Sequence, residues 1–364
     1  MKRTQKEMIL KDLEKKIVLL VGPRQAGKTW LAKDIARGFE RTVYLNYDQA
    51  LDRAIITSQS WLPSTELLIF DELHKMENWK NYLKGVFDTK PELMRVLVTG
   101  SARLDVYDQL GDSLAGRYFR HRLMPLSLAE VKQVAEPIDI DKLIVRSGFP
   151  EPYLAENDIE ANRWRLQYVN SILSTDVFEI DKIYNIKSMQ LVFNLLRNRV
   201  GTPVSYQSLA EDVSVSPITI KKYIQILEAL FIVFRVTPFS KNIARSLLKE
   251  PKIYFFDTGL VQGDDGAKFE NLVAVSLLKH VYAKTDYQAE EYYLNYLRTK
   301  DGQEVDFALV YKDEIDSALS RSLIYFHEKY NSPAIQLVKF LRNEFDKNGI
   351  KVLRAEYFLS NLFL

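Results

Sequence analysis

Cysteine is absent from the 364 residues, which excludes disulfides and thiolate metal sites and fits a reducing compartment. Long apolar runs are missing too: none approaches the ~20 residues that a membrane-spanning helix needs. The opening Met1-Lys2-Arg3-Thr4 is charged and lacks the apolar stretch of a signal peptide. A surplus charge of one sign is also lacking. With 50 basic and 48 acidic residues the net charge is +2, so a polyanion would have to be held by a local basic patch rather than a global field. No internal repeat and no low-complexity tract interrupts the chain. These absences predict a cytoplasmic protein without a membrane partner, and the length predicts two or three domains.

What is present is led by Gly22-Pro23-Arg24-Gln25-Ala26-Gly27-Lys28-Thr29, a G-x-x-x-x-G-K-[ST] phosphate loop. It follows the apolar run Ile17–Val21 and opens into the helically spaced stretch that begins at Trp30, the strand–loop–helix setting the motif requires. Glycines let backbone N–H groups curl around a polyphosphate, and a helix N-terminus favours its charge. The residues from Gly22 to Trp30 are thus the expected ATP-binding segment. Lys28 would reach the β- and γ-phosphates, and the Thr29 hydroxyl would ligate Mg²⁺.

The strand Leu67–Phe70 runs straight into Asp71-Glu72. An unbroken apolar run fits a strand covered on both faces, with its carboxyl end at the ligand edge of an α/β sheet. Asp71 is the expected Mg²⁺ carboxylate and Glu72 the general base for water. His74 reads as a loop residue and Trp79 as a packing residue. A further strand, Arg95–Val98, ends in Thr99-Gly100-Ser101, where Thr99 and Ser101 are candidates to sense the γ-phosphate or, alternatively, to form a plain strand-end turn. Arg117 precedes an expected strand at 118–123 and is a candidate to reach a neighbouring subunit's nucleotide. The alternative is a surface pair with Asp108 or Asp112.

Gly22–Thr29, Leu67–Lys75, Val96–Ser101 and Ser113–Tyr118, in that order, resemble the prokaryotic AAA-type ATPases of poorly assigned function. Ser147–Pro152 and Phe269–Asn271 extend the resemblance over nearly the whole chain. It implies nucleotide binding by Lys28 and Thr29, Mg²⁺ binding by Asp71 and hydrolysis by Glu72. It also implies a sensor at Ser101 or Thr99, an arginine finger at Arg117, and a homo-oligomer in which that finger acts.

The expected fold class is therefore α/β: an AAA-type P-loop NTPase core over 1–124, its parallel sheet wound with helices. A helical lid or connector follows over 125–185, where Arg163 and Arg165 are either a second nucleotide sensor or solvated charges. Residues 186–262 spell a winged helix–turn–helix, with Ser216 and Pro217 as cap and first position of the second helix. Lys221 and Lys222 on that helix, with Lys241, Arg245, Lys249 and Lys252 in or beside the wing, form a stripe for duplex DNA. Such modules also bind proteins, and the stripe is equally a solvated face.

Residues 263–364 resemble a small α+β restriction-endonuclease-like domain. Glu270 on a helix and Asp306 on the second strand of a hairpin around Lys300-Asp301-Gly302 match two elements of its site. The third, a strand bearing Glu-x-Lys, is missing, because the pattern after Asp316 is helical through Tyr330. The domain is accordingly expected to be degenerate, with Glu270 and Asp306 as ordinary carboxylates and no nuclease activity.

Overall fold

A computed structural model describes residues 2–100, 114–133, 139–176, 185–240, 250–299, 302–312, 314–319, 333–347 and 349–363. They divide into two compact units, residues 2–124 with 229–231, and residues 125–228 with 232–364.

The N-terminal unit is organised by β1 (Ile17–Val21), five apolar residues that are all buried. Around it stand β2 (Thr42–Asn46), β3 (Leu67–Asp71), β4 (Arg95–Thr99) and β5 (Tyr118–Arg122). Every pairing is parallel, in the order β2-β3-β4-β1-β5. Strand residues alternate between two cores, as a period of two requires. Ile17, Leu19 and Val21 join Phe70 and Val98 on one face, while Val18 and Leu20 join Ile69 and Leu97 on the other. Helices cover both faces. Trp79, Leu83 and Val86 of α4 (Trp79–Thr89) pack on the first. Ile9 and Leu13 of α1 (Lys6–Leu13) and Leu31, Ala32 and Ile35 of α2 (Lys28–Ala36) pack on the second. Between β2 and β3 lies α3 (Ala50–Ser58).

The register sets the site. Thr99 lies opposite Leu20 on one side and Asp71 on the other. The loop after β1 and the tips of β3 and β4 therefore share the carboxyl edge of the sheet.

The second unit begins with helices α5 (Leu128–Lys132), α6 (Ile140–Arg146), α7 (Pro150–Leu154) and α8 (Asp158–Ser171). Next come α9 (Ile186–Arg197), α10 (Tyr206–Val213), α11 (Pro217–Ala229) and the antiparallel pair β6 (Val233–Pro238) and β7 (Lys252–Phe255). The Ser216 hydroxyl accepts from the Thr219 N–H at 3.1 Å, the cap read from sequence. A long helix, α12 (Asp265–Gln288), precedes β8 (Tyr292–Arg298), β9 (Glu304–Tyr311), β10 (Glu314–Leu319), β11 (Ala334–Val338), β12 (Phe345–Lys347) and β13 (Ile350–Arg354). The last described element is α13 (Ala355–Ser360).

Two expectations need correction here. The helix expected from Ser317 does not begin there: Glu314–Leu319 is a strand, paired antiparallel with β9, and the rest of that expected helix, 320–330, lies outside the described residues. The ladder offered by β9 outweighs the local helical pattern, since strand propensity depends on the neighbours available. The sheet also runs across the 262/263 position, because β6 pairs in parallel with β8 at Thr237–Asn295 and Pro238–Tyr296. The order is β12-β13-β11-β10-β9-β8-β6-β7, so the hairpin after α11 is the edge of the C-terminal sheet.

Candidate functional site

The phosphate loop is shaped by backbone that only certain residues adopt. Gly22 has φ +142° and faces the Leu123 carbonyl so closely that a Cβ would sit 2.3 Å from its oxygen. Gly27 caps α2 at φ +96° and Gln25 lies at φ +59°, turning the loop back toward the helix N-terminus. Pro23 and Ala26 are buried, Arg24 is half-buried, and Gln25 and Trp30 are exposed. The Lys28 ammonium donates to the carbonyls of Gly22 at 2.9 Å and Pro23 at 2.6 Å. Burial holds it down to about 8, against the opposing pull of Glu72 and Asp71.

Asp71 is the hub of this edge. Its Oδ2 accepts from Thr29 Oγ1 at 3.1 Å and from the Tyr44 hydroxyl. Its Oδ1 accepts from Thr99 Oγ1. Tyr44 reaches it from β2, with its ring under Lys33 Nζ at 5.3 Å from the centroid. Burial first, then Asp71, pushes the Tyr44 hydroxyl well above the usual tyrosine range. Nothing in the chemistry of the motif points to a tyrosine there; the pairing of β2 with β3 is what delivers it.

Glu72 leaves β3 in a left-handed turn at φ +58°. Burial and the neighbouring Asp71 raise its carboxyl above the ordinary range, and Lys75 and Lys28 pull the other way. His74 is buried beside it, with Nε2 3.6 Å from the Glu72 carboxylate. Lys75 Nζ lies at 3.7 Å. The sequence offered His74 only as a loop residue, and its place against the expected base was missed. Trp79 is 5% exposed, a core residue as expected.

This edge can hold a nucleotide with a divalent ion. The glycine backbone leaves room for phosphate, the ammonium rests on carbonyls that a phosphate would replace, and Thr29 stands against the Asp71 carboxylate. Thr29 can donate to Asp71 and keep an oxygen lone pair for the ion.

Other candidates fall elsewhere. Thr99 is fully buried and serves Asp71. Ser101 lies outside the described residues. Arg117 forms a two-pronged pair with Asp88, at 2.9 and 3.3 Å; Asp108 and Asp112 lie outside the described residues. Its carbonyl accepts from the Ile17 N–H, so it stands at the start of β1, the far end from the loop of its own chain.

In the second unit, Arg163 is exposed, whereas Arg165 is buried and bound to Asp257 at 2.9 Å, Asn162 at 2.6 Å and the Val145 carbonyl at 3.0 Å. Arg165 is therefore not a solvated charge. Lys221 and Lys222 are exposed on α11. Lys241, Arg245 and Lys249 lie outside the described residues. Lys252 is removed from the expected stripe: it is 0% exposed and its ammonium points inward.

That ammonium gathers the carboxylates of the C-terminal sheet. It lies 2.7 Å from Glu304, 3.2 Å from Asp306 and 3.5 Å from Glu270. Glu270 also accepts from Tyr254 at 2.7 Å, and a Cβ on Gly201 would stand 2.8 Å from it. Burial pushes the Glu270 carboxyl up despite Lys252. Burial alone would lower Lys252, but Glu270, Asp306 and Glu304 outweigh it and raise it. Glu270, Glu304 and Asp306 line one end of a cavity of about 660 Å³ that Asp264 and Lys339 also border. Glu270 and Asp306, expected to be ordinary helix and hairpin carboxylates, thus share one ammonium, and that lysine comes from β7 rather than from a Glu-x-Lys strand. Among the described residues no group of three or more histidines or carboxylates is placed to hold a metal ion. No helix among them is long and apolar enough to cross a membrane.

Comparison with known proteins matches residues 14–132 to the AAA domain family and residues 138–265 to a domain of unknown function, DUF8612. An uncharacterised protein of Mycobacterium tuberculosis is 28% identical over 247 residues, 67% of this chain and 55% of that one. The chain thus spans about half the length of this relative and of its Mycobacterium bovis counterpart. An uncharacterised protein of Haemophilus influenzae is 22% identical, covering 93% and 92% of the two chains. Among solved structures, the Walker-type ATPase of Pyrococcus abyssi aligns with TM-score 0.46 at 13% identity, over 71% of this chain and 94% of that one. The Thermotoga maritima RuvB branch migration motor aligns with TM-score 0.35 at 18% identity, over 68% and 93%. Residues 14–132 thus match the AAA domain family over the stretch that forms the loop-bearing parallel sheet, the α/β arrangement of a P-loop NTPase.

Proposed function

We propose that this chain is a Mg²⁺-dependent ATPase whose hydrolytic cycle drives or times a conformational change in residues 125–364. The observation that carries the proposal is the meeting of Lys28, Thr29, Asp71 and Glu72 at one sheet edge, where Thr29 donates to Asp71 and Lys28 lies within the fields of Glu72 and Asp71. Backbone N–H groups at the start of α2 face the phosphates, and the Lys28 ammonium exchanges its carbonyls for phosphate oxygens. Mg²⁺, held by Thr29 and through water by Asp71, would neutralise charge on the β- and γ-phosphates. Glu72, whose raised proton affinity suits a base, orients and deprotonates the attacking water. Phosphate release by the wild type and by Glu72→Gln tests this: a loss of about two orders of magnitude or more is expected, and equal rates would end the hydrolytic assignment.

The position of Arg117 favours a second version, a slow switch. A lone chain lacks this guanidinium near its own nucleotide, so it would bind ATP and turn over slowly until a neighbouring copy supplies it. Turnover per chain that rises with protein concentration, and fails to rise in Arg117→Ala, distinguishes the switch from a constitutively active monomer.

Residues 186–262 have the helix order of a winged helix, and exposed Lys221 and Lys222 on α11 support contact with duplex DNA. Salt-sensitive retention of duplex should weaken in the Lys221→Ala, Lys222→Ala double variant; no retention by the wild type at low salt would assign the module to a protein partner. For the Lys252 cluster we expect no nuclease activity, because the strand after Asp306, Glu314–Leu319, carries no Glu-x-Lys pair to complete the site. Plasmid nicking in Mg²⁺ that disappears in Asp306→Ala would replace that expectation.

A further inference from the structure

Asp71 presents about four lone-pair positions when ionised. Thr29 and Tyr44 occupy those of Oδ2, and Thr99 occupies one of Oδ1. Among the described residues, a single position, on Oδ1, is left for anything else. Thr29 and Thr99 belong to the edge that any phosphate loop brings together, but Tyr44 comes from the outer strand β2. Its ring packs against the apolar core on one face of the sheet, with Lys33 Nζ 5.3 Å from the ring centroid.

We propose that Tyr44 is a positioning residue for the divalent ion: by filling the second lone pair of Asp71 Oδ2 it stops the carboxylate from turning and leaves one fixed acceptor position for a metal-bound water. The proposal rests on the nucleotide-site assignment above and adds a residue outside the motif. Loss of the hydroxyl returns a second acceptor position to Oδ2. The carboxylate can then rock between two water-binding geometries, or turn toward the Lys28 ammonium and compete with phosphate for it.

The test is calorimetric binding of a non-hydrolysable ATP analogue to the full chain across a Mg²⁺ titration and again in EDTA, for wild type and Tyr44→Phe. Phenylalanine keeps the ring and its packing, so thermal melting should be close to wild type. The Mg²⁺ concentration at half-saturation should rise about three- to tenfold, the factor that one hydrogen bond supplies, while affinity in EDTA stays within about twofold. An unchanged or lowered Mg²⁺ requirement in Tyr44→Phe overturns the proposal. So does an equal loss with and without Mg²⁺, which marks a structural role only. If the wild type binds no nucleotide with Mg²⁺ present, the site assignment itself falls and takes this proposal with it. Should Tyr44→Phe melt early, Tyr44→Trp, which keeps an aromatic body without the hydroxyl, must show the same Mg²⁺ shift for the proposal to stand.

Discussion

Thr99 stands directly across from Asp71 in the register of β3 and β4 and donates its hydroxyl to Asp71 Oδ1. A residue offered by sequence as a phosphate sensor is, in the folded chain, a support for the expected metal carboxylate. Thr99→Val keeps the shape and removes the donor, leaving a buried carboxylate oxygen short of a partner. A loss of about 1–3 kcal/mol is expected, measured by denaturant unfolding. Thr99→Ser, which restores the hydroxyl, should recover most of it.

Gly22→Ala puts a methyl 2.3 Å from the Leu123 carbonyl oxygen, at a φ of +142° that L-residues rarely adopt. The loop must shift away from β5 or lose its curve. Nucleotide binding should fall by at least tenfold and stability by about 1–3 kcal/mol, read by calorimetry and melting. Wild-type affinity in this variant would show that the loop does not need its observed curve.

Lys252→Met removes the only described ammonium among Glu270, Glu304 and Asp306. The ammonium is buried but the carboxylates are 24–31% exposed, so breaking the set costs at most about 3–5 kcal/mol at neutral pH. The carboxylates hold Lys252 above the ordinary lysine value, so its stabilisation is complete at pH 7 and is lost only as pH climbs through that raised value. The deficit of the variant should narrow on acidification, because Glu270, pushed up by burial, protonates early and sheds the unpaired charge. Melting curves at pH 8 and pH 5 check this; an equal deficit at both would show that the carboxylates are not what Lys252 balances.

Lys279 and Glu130 form another buried pair. The ammonium lies 2.6 Å from the carboxylate and 3.1 Å from the Pro125 carbonyl, with side chains 3% and 0% exposed. Glu130 also closes the capping box of α5 with Ser127. Lys279→Met should cost about 3–5 kcal/mol, and adding Glu130→Gln should restore part of it, since the lone charge is the larger penalty. Unfolding of the two variants measures the difference.

Local signals carried far in the N-terminal unit. The apolar runs at Ile17–Val21 and Leu67–Asp71 form strands buried on both faces, as continuous hydrophobic stretches must. The loop glycines and the Ser216 cap act through neighbours a few residues away, so spacing alone locates them. In the C-terminal sheet the signals are weaker. Strands there alternate or are short, and Glu314–Leu319 has a local pattern compatible with a helix until β9 offers it a ladder.

The amino-acid sequence by itself determined the phosphate loop, the Asp71–Glu72 pair and the parallel sheet that carries them, because each depends on short-range order and on apolar content. Only the tertiary structure decided that Tyr44 and Thr99 hold Asp71, that Arg117 lies at the far end from its own loop, and that Lys252 turns inward to Glu270, Glu304 and Asp306. Those outcomes depend on strand order and register, which bring together residues dozens of positions apart, and a burial that reverses a surface lysine's expected role has no local signature.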